Sequence, residues 1–140
     1  MENKENNILE ESRRIKGQAD KILKESGIVD ILTNYGEVKI AGSYALDLML
    51  RPDIDLFVVV EKHNWDKVLD VQSRIIKTKY FRELYFMDWV NFENKQTGNT
   101  EEWIPEIRGY YFAAVVPRGD ERWKVDIWLI TSEYDRSAEL

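Results

Sequence analysis

Apolar residues recur along the first third of this chain with the spacing of a helix, and later in the dense runs typical of buried strands. Over 4–26, Ile8, Ile15 and Ile22, joined by Leu9, Ala19 and Leu23, form one stripe at helical spacing. A stripe of that kind covers one face of a sheet. Gly17 lies inside it, at a cost of about 1 kcal/mol relative to alanine, and so marks a point where the helix can kink or break. Gly27 reads as the stop, and a short second helix over 28–34 ends near Gly36.

The pattern then turns to strands. Residues 38–41 read as a short strand. Residues 43–50 read as a one-to-two-turn helix with Ala45, Leu46, Leu48 and Met49 to bury, ended by Arg51-Pro52 because the residue before proline avoids helical geometry. Residues 54–60 are apolar on both faces, which predicts a strand in the middle of a sheet, covered on both sides. His63-Asn64 opens the next helix, with Asn64 as N-cap. Trp65, Val68, Leu69, Gln72, Ile75 and Ile76 keep its period to Lys77. The aromatic run 81–92 reads as a strand, with helix left open by Glu83-Leu84 and Met87-Asp88. A polar loop around Gly98 follows over 93–104. Residues 107–116 and 122–131 read as strands joined through the turn signal Pro117-Arg118-Gly119-Asp120, hence as a hairpin. The tail SEYDRSAEL reads as the start of a helix that a longer chain would continue.

Composition narrows the picture. A chain of 140 residues, 44% hydrophobic and 33% charged, makes one globular domain. Its net charge of −6 argues against a sequence-independent nucleic-acid binder, though a bound metal would still let it take a nucleotide. With no cysteine and one histidine, a disulfide-stapled fold is excluded and a structural zinc site is disfavoured. The polar N-terminus carries no signal-peptide run, and no stretch approaches the roughly 20 apolar residues of a membrane span. A cytoplasmic protein with no membrane partner is the expectation.

The chemistry concentrates in KIAGSYALDLMLRPDIDLFVVV, residues 39–60. Asp53 and Asp55 are two residues apart and share a side of their strand. Two carboxylates about 4 Å apart repel by roughly 1 kcal/mol in water and about 4 kcal/mol near a protein surface. A divalent cation is the usual offset. Gly42-Ser43, between a strand and a helix start, offers backbone N–H groups to an anion such as phosphate. Downstream, RWKVDIWLI alternates Lys124, Asp126, Trp128 and Ile130 on one face against Val125, Ile127 and Leu129 on the other. A single acid in such a strand is costly when buried alone; beside Asp53 and Asp55 it completes a three-carboxylate cluster. Three carboxylates with a phosphate ligand suit magnesium, singly or as a pair of ions about 3.5–4 Å apart.

Gly42-Ser43, nine residues, Asp53-Ile54-Asp55 in an apolar strand, then a later strand bearing Asp126: this combination resembles the polymerase-beta-type nucleotidyltransferase superfamily, most of all its small, stand-alone bacterial members. The likeness covers about 37–131, after an N-terminal helical segment over 1–36 and before the helix start at 132–140. It implies an α+β fold with a mixed, mainly antiparallel sheet flanked by helices. It also implies transfer of a nucleoside monophosphate from a nucleoside triphosphate to a hydroxyl acceptor, with pyrophosphate leaving. Asp53 and Asp55 would hold the metal bound to the triphosphate. Asp126, with both, would hold a second and help deprotonate the acceptor. Magnesium would be the cofactor, with manganese able to substitute. Gly42 and Ser43 would bind the triphosphate.

Around that core, Arg51 and Lys39 are candidate phosphate contacts, as is Lys124, each set against an ordinary solvated role. His63 is weighed as a surface or capping residue, and Tyr44 as packing against base stacking. Trp89, Trp103, Tyr110, Tyr111, Trp123 and Trp128 are core, save one that would line a cleft. Asp47 stands where many of these proteins carry a small residue, and the chain lacks the C-terminal helical domain of larger relatives. A second reading is therefore a non-catalytic nucleotide- or metal-binding module that regulates a partner, as in a toxin–antitoxin pair. A third is an interaction domain whose acids are only surface.

Overall fold

A computed structural model of the chain describes residues 4–41, 51–91 and 108–134. The expected bend at Gly-Ser, the helix over 43–50, the polar loop over 93–104, Trp103 and the end of the tail lie outside these residues.

The N-terminal helix α1 spans Lys4–Ser26 and runs through Gly17 without a break. It buries Ile15, Ala19 and Ile22 from the expected stripe, while Ile8 and Leu9 stand exposed. Gly27 ends it with a left-handed φ of 65°, and α2 (Ile28–Leu32) follows at once, shorter than the expected 28–34. Strands β1 (Glu37–Ala41) and β2 (Asp53–Val59) lead to α3 (Trp65–Lys77), then β3 (Glu83–Asp88), β4 (Gly109–Arg118) and β5 (Glu121–Ile130), with a 3-10 turn at Ser132–Tyr134. Asn64 caps α3 as expected, its side-chain oxygen accepting from the Asp66 N–H at 2.8 Å. The 81–92 run resolves as strand, trimmed to Glu83–Asp88.

The fold is α+β. Its five-stranded sheet has the order β1-β2-β5-β4-β3. Pairing is antiparallel except between β2 and β5, which run parallel from Asp53↔Lys124 to Val59↔Ile130. The β4–β5 hairpin turns at Gly119-Asp120, the expected place. Among the described residues no helix is long and apolar enough to cross a membrane.

The main core lies between the helices and one sheet face. Ile15, Ala19 and Ile22 of α1, Ile28 and Leu32 of α2, and Val68, Val71 and Ile75 of α3 meet Ile54, Leu56, Val58, Trp123, Val125, Ile127 and Leu129. The Trp123 indole, fully buried, donates its N–H to Gln18 Oε1 at 2.9 Å and ties α1 to β5. On α3 the buried stripe is Val68, Val71 and Ile75; Leu69 and Ile76, expected to share it, are 53% and 58% exposed. The helix is rolled so that Val71, on the other flank of the stripe, takes their place.

All three described helices therefore serve one face. β2 is an interior strand, as expected. On its second side, among the described residues, Phe57 is buried in a small cluster with Ala41 and Ile130, flanked by Val59, Trp128 and Tyr134. Beside that cluster, on the same face, lie the acids.

Close backbone approach makes two of the described glycines structural, Gly36 and Gly109. A Cβ on Gly36 would sit 2.1 Å from the Val59 carbonyl oxygen, where no relaxation of a side chain relieves the clash. In contrast, a Cβ on Gly17 meets nothing within 4 Å. Gly36→Ala is expected to lower unfolding stability by on the order of 2–4 kcal/mol. Gly17→Ala is expected to raise it by about 0.5–1 kcal/mol. Urea melts of both variants check the pair; a stabilising Gly36→Ala would show that β1 does not enter the sheet where described.

Candidate functional site

Strand register builds the site. In the parallel β2–β5 pair, Asp55 lies directly opposite Asp126, and Asp53 opposite Lys124. Period-2 alternation then puts Asp53, Asp55, Lys124 and Asp126 on the sheet face opposite α1, α2 and α3. On the other side of β2, Asp55 faces Ala41 and Phe57 faces Lys39, so Lys39 shares this face. Ala41, opposite Asp55, is the residue before Gly42-Ser43. The ladder extends backward at Pro52, whose carbonyl accepts from the Lys124 N–H at 3.0 Å. This holds the Arg51-Pro52 approach beside β5, with the Arg51 side chain exposed.

β4 supplies what sequence reasoning missed. The Tyr111 hydroxyl donates to Asp126 Oδ1. Across the β4–β5 pair Asp126 faces Ala113, and Tyr111 faces Trp128. The small alanine leaves the space through which a tyrosine two residues away reaches diagonally to the carboxylate. Trp128 fixes that reach, with its ring 4.8 Å from the Tyr111 ring. From the sequence, Tyr111 reads only as one of the aromatics of core or cleft. The signal that would have found it is a strand reading Tyr-x-Ala paired with one reading Asp-x-Trp, and it becomes visible only once the register is known. The second oxygen of Asp126, Oδ2, lies 3.4 Å from Lys124 Nζ.

The electrostatics follow from this crowding. Asp55 is pushed up to about 6. Burial is the largest cause; the Asp126 carboxylate beside it adds to the rise by charge and by hydrogen bonding, and Asp53 adds its charge, while Lys124 works in the opposite direction. The Tyr111 hydroxyl is also held well above its ordinary range, first by burial, then by its bond to Asp126 and by the three carboxylate charges.

The two strands thus bring the three predicted acids together on one face. Asp55 and Asp126 are adjacent, and Asp53 lies within reach of their fields. Among the described residues, however, no three histidine or carboxylate side chains are gathered as a metal-ion site as they stand. Asp126 is instead engaged by Tyr111 and Lys124. The donor type fits a hard divalent cation, and the raised Asp55 marks negative charge that the protein leaves partly uncompensated. Gly42 and Ser43 lie outside the described residues.

The lone histidine sits elsewhere. His63 follows the far end of β2, its ring edge-on to Tyr110 at 5.3 Å and its Nδ1 buried without a hydrogen-bond partner among the described residues. Desolvation lowers its pKa, against the opposing charges of Glu133 and Asp88. The cap of α3 is Asn64, so His63 packs rather than caps. Of the other aromatics, Trp89, Tyr110 and Trp123 are buried. Tyr111 and Trp128 are the pair on the acid face.

Compared with known families and with curated proteins, the chain matches no family model and no curated sequence.

The raised Asp55 has a defined consequence for stability. Its folded pKa lies above its unfolded one, so the folded protein holds that proton more tightly. The resulting stabilisation is present at low pH and is lost as pH rises from about 4 through about 6. With solvent screening allowed for, ionising Asp55 costs the metal-free fold on the order of 2 kcal/mol at neutral pH. In metal-free buffer Asp55→Asn should therefore be more stable than the parent at pH 8 by about that amount. The gap should close toward pH 4. Urea melts across that range measure it, and a gap independent of pH would contradict the assignment.

Proposed function

We propose that the protein is a divalent-metal-dependent nucleotidyltransferase of the cytoplasm, moving a nucleoside monophosphate from a nucleoside triphosphate to a hydroxyl acceptor. One observation carries this reading: Asp55 faces Asp126 across parallel strands, with Asp53 on the same face, where burial first and the neighbouring carboxylates after it lift the Asp55 pKa. An arrangement that costs the metal-free protein stability is explained if a cation relieves it.

Asp53, Asp55 and Asp126 would hold that cation, magnesium by preference and manganese as a substitute. When bound, it supplies neutralisation of the charge on the triphosphate and on its leaving pyrophosphate. The chain's own part is placement and proton handling. Asp126 would help take up the proton of the attacking hydroxyl. Tyr111 would keep Asp126 turned toward its neighbour by bonding one of its oxygens. Gly42 and Ser43, following Ala41 in sequence, would bring backbone and hydroxyl donors to the phosphates, with positive charge from Arg51 and Lys39. Catalysis then rests on positioning and charge complementarity. The net charge of −6 favours a small molecule or a protein side chain as acceptor over bulk nucleic acid.

A specific observation favours a second reading. Asp126 is satisfied without any ion, by Tyr111 and by Lys124. A non-catalytic module that binds nucleotide or metal and regulates a partner would need no more than this.

Incubation with labelled nucleoside triphosphates, magnesium and cell extract separates the two. The first reading expects pyrophosphate and a labelled product, with the rate reduced by roughly 100-fold or more in Asp53→Asn and in Asp126→Asn. Thermal stabilisation by nucleotide without turnover would establish the second reading and overturn the first.

A further inference from the structure

On the acid face of β5, Lys124 stands opposite Asp53 and two residues before Asp126; Arg122, farther along the same face, is ion-paired with Glu83 at 3.0 Å. The Lys124 ammonium lies 3.4 Å from Asp126 Oδ2, and its side chain keeps 36% of its exposure, against 13% for the carboxylate. The other oxygen of Asp126 is taken by the Tyr111 hydroxyl. With all four groups ionised, one ammonium against the carboxylates of Asp53, Asp55 and Asp126 leaves two negative charges uncancelled, the charge that one divalent ion neutralises.

We infer that Lys124 is the resident counter-cation of this site, displaced from Asp126 by an entering divalent ion and thereby setting how tightly that ion binds. The inference rests on the metal-site reading above. An ion that uses Asp126 competes with the ammonium for Oδ2, and two cations on one oxygen repel. The lysine can yield because its stem is flexible and its head is in reach of solvent. Tyr111 cannot yield as easily, since Trp128 packs on its ring and its hydroxyl is a neutral donor that an incoming cation does not repel. Asp126 therefore keeps its orientation while its cation is exchanged. The released ammonium, on a side chain 36% exposed, remains on the acid face of the sheet, where an anion accompanying the metal would meet it. Lys124 thus weakens the bare ion and strengthens the ion's phosphate complex, two effects of opposite sign from one side chain.

The test uses the full chain without nucleotide. Magnesium alone is titrated calorimetrically into the parent, Lys124→Met, the polar variant Lys124→Gln, and Lys77→Met as a charge control on α3. Melting curves with and without magnesium are recorded in parallel. The two Lys124 variants should bind magnesium about tenfold more tightly than the parent, the step expected from removing one nearby, partly screened charge. They should melt lower without metal and gain more from it, whereas Lys77→Met should shift neither affinity by more than about twofold. In saturating magnesium, inorganic tripolyphosphate should bind the Lys124 variants about tenfold more weakly. A purely structural lysine would lower the melting point without tightening the metal. If parent and variants bind magnesium equally, or tripolyphosphate binding is unchanged, the inference falls while the metal site stands. If neither the parent nor any Lys124 variant binds magnesium or manganese, the metal site falls and takes the inference with it.

Discussion

Two strands distant in sequence lie side by side and parallel, and that pairing sets Asp55 against Asp126. Everything distinctive about the acid face follows from it. A register shift of one residue would turn every β5 side chain over, sending Asp126 into the helix-covered core and Val125 onto the acid face. The core forbids this. Trp123, Val125, Ile127 and Leu129 interlock with Ile54, Leu56 and Val58 beneath the helices, and Trp123 is further latched to Gln18. The hydrophobic packing on one side of the sheet thus enforces a like-charge juxtaposition on the other. The fold bears that unfavourable term because the apolar face contributes far more.

The sheet divides its labour by face. One side is a continuous apolar surface under α1, α2 and α3. The other carries a small cluster around Phe57 and, next to it, the acids with Lys124, Tyr111 and Trp128. Small residues mark where the acids sit: Ala41 beside Asp55 on β1, and Ala113 beside Asp126 on β4. Large side chains at these positions would bury the carboxylates fully. Alanines leave room for the carboxylates and open the diagonal along which Tyr111 reaches Asp126, itself 9% exposed. The charged groups of this face are thereby held by strands, the arrangement best able to keep them close together.

Much of this was legible before the fold was known, for physical reasons. α1 and α3 announce themselves by period and by stop and cap residues: Gly27 with its left-handed backbone, and Asn64 with its side-chain bond to the Asp66 N–H. The β4–β5 hairpin follows from Gly119-Asp120 between two apolar runs. The sharing of a face by Asp53 and Asp55 needs only strand alternation. What was not legible depends on register and on rotation. Leu69 and Ile76 fit the helical period of α3 as well as Val71 does, and only packing on the sheet decides that Val71 goes inside. The engagement of Asp126 by Tyr111 and Lys124 needs three strands in alignment, which no local pattern contains. The restriction of the described helices to one face likewise cannot be read from their amphipathicity, which is the same for either side.

The central claim is that Asp55 and Asp126 are forced together as like charges that a divalent cation relieves. The most direct measurement is a double-mutant cycle on stability at pH 8, using Asp55→Asn, Asp126→Asn and the double variant, in chelator and then in excess magnesium. The account predicts a repulsive coupling of about 1–2 kcal/mol without metal that vanishes or changes sign with it. Additivity within about 0.5 kcal/mol under both conditions would contradict it.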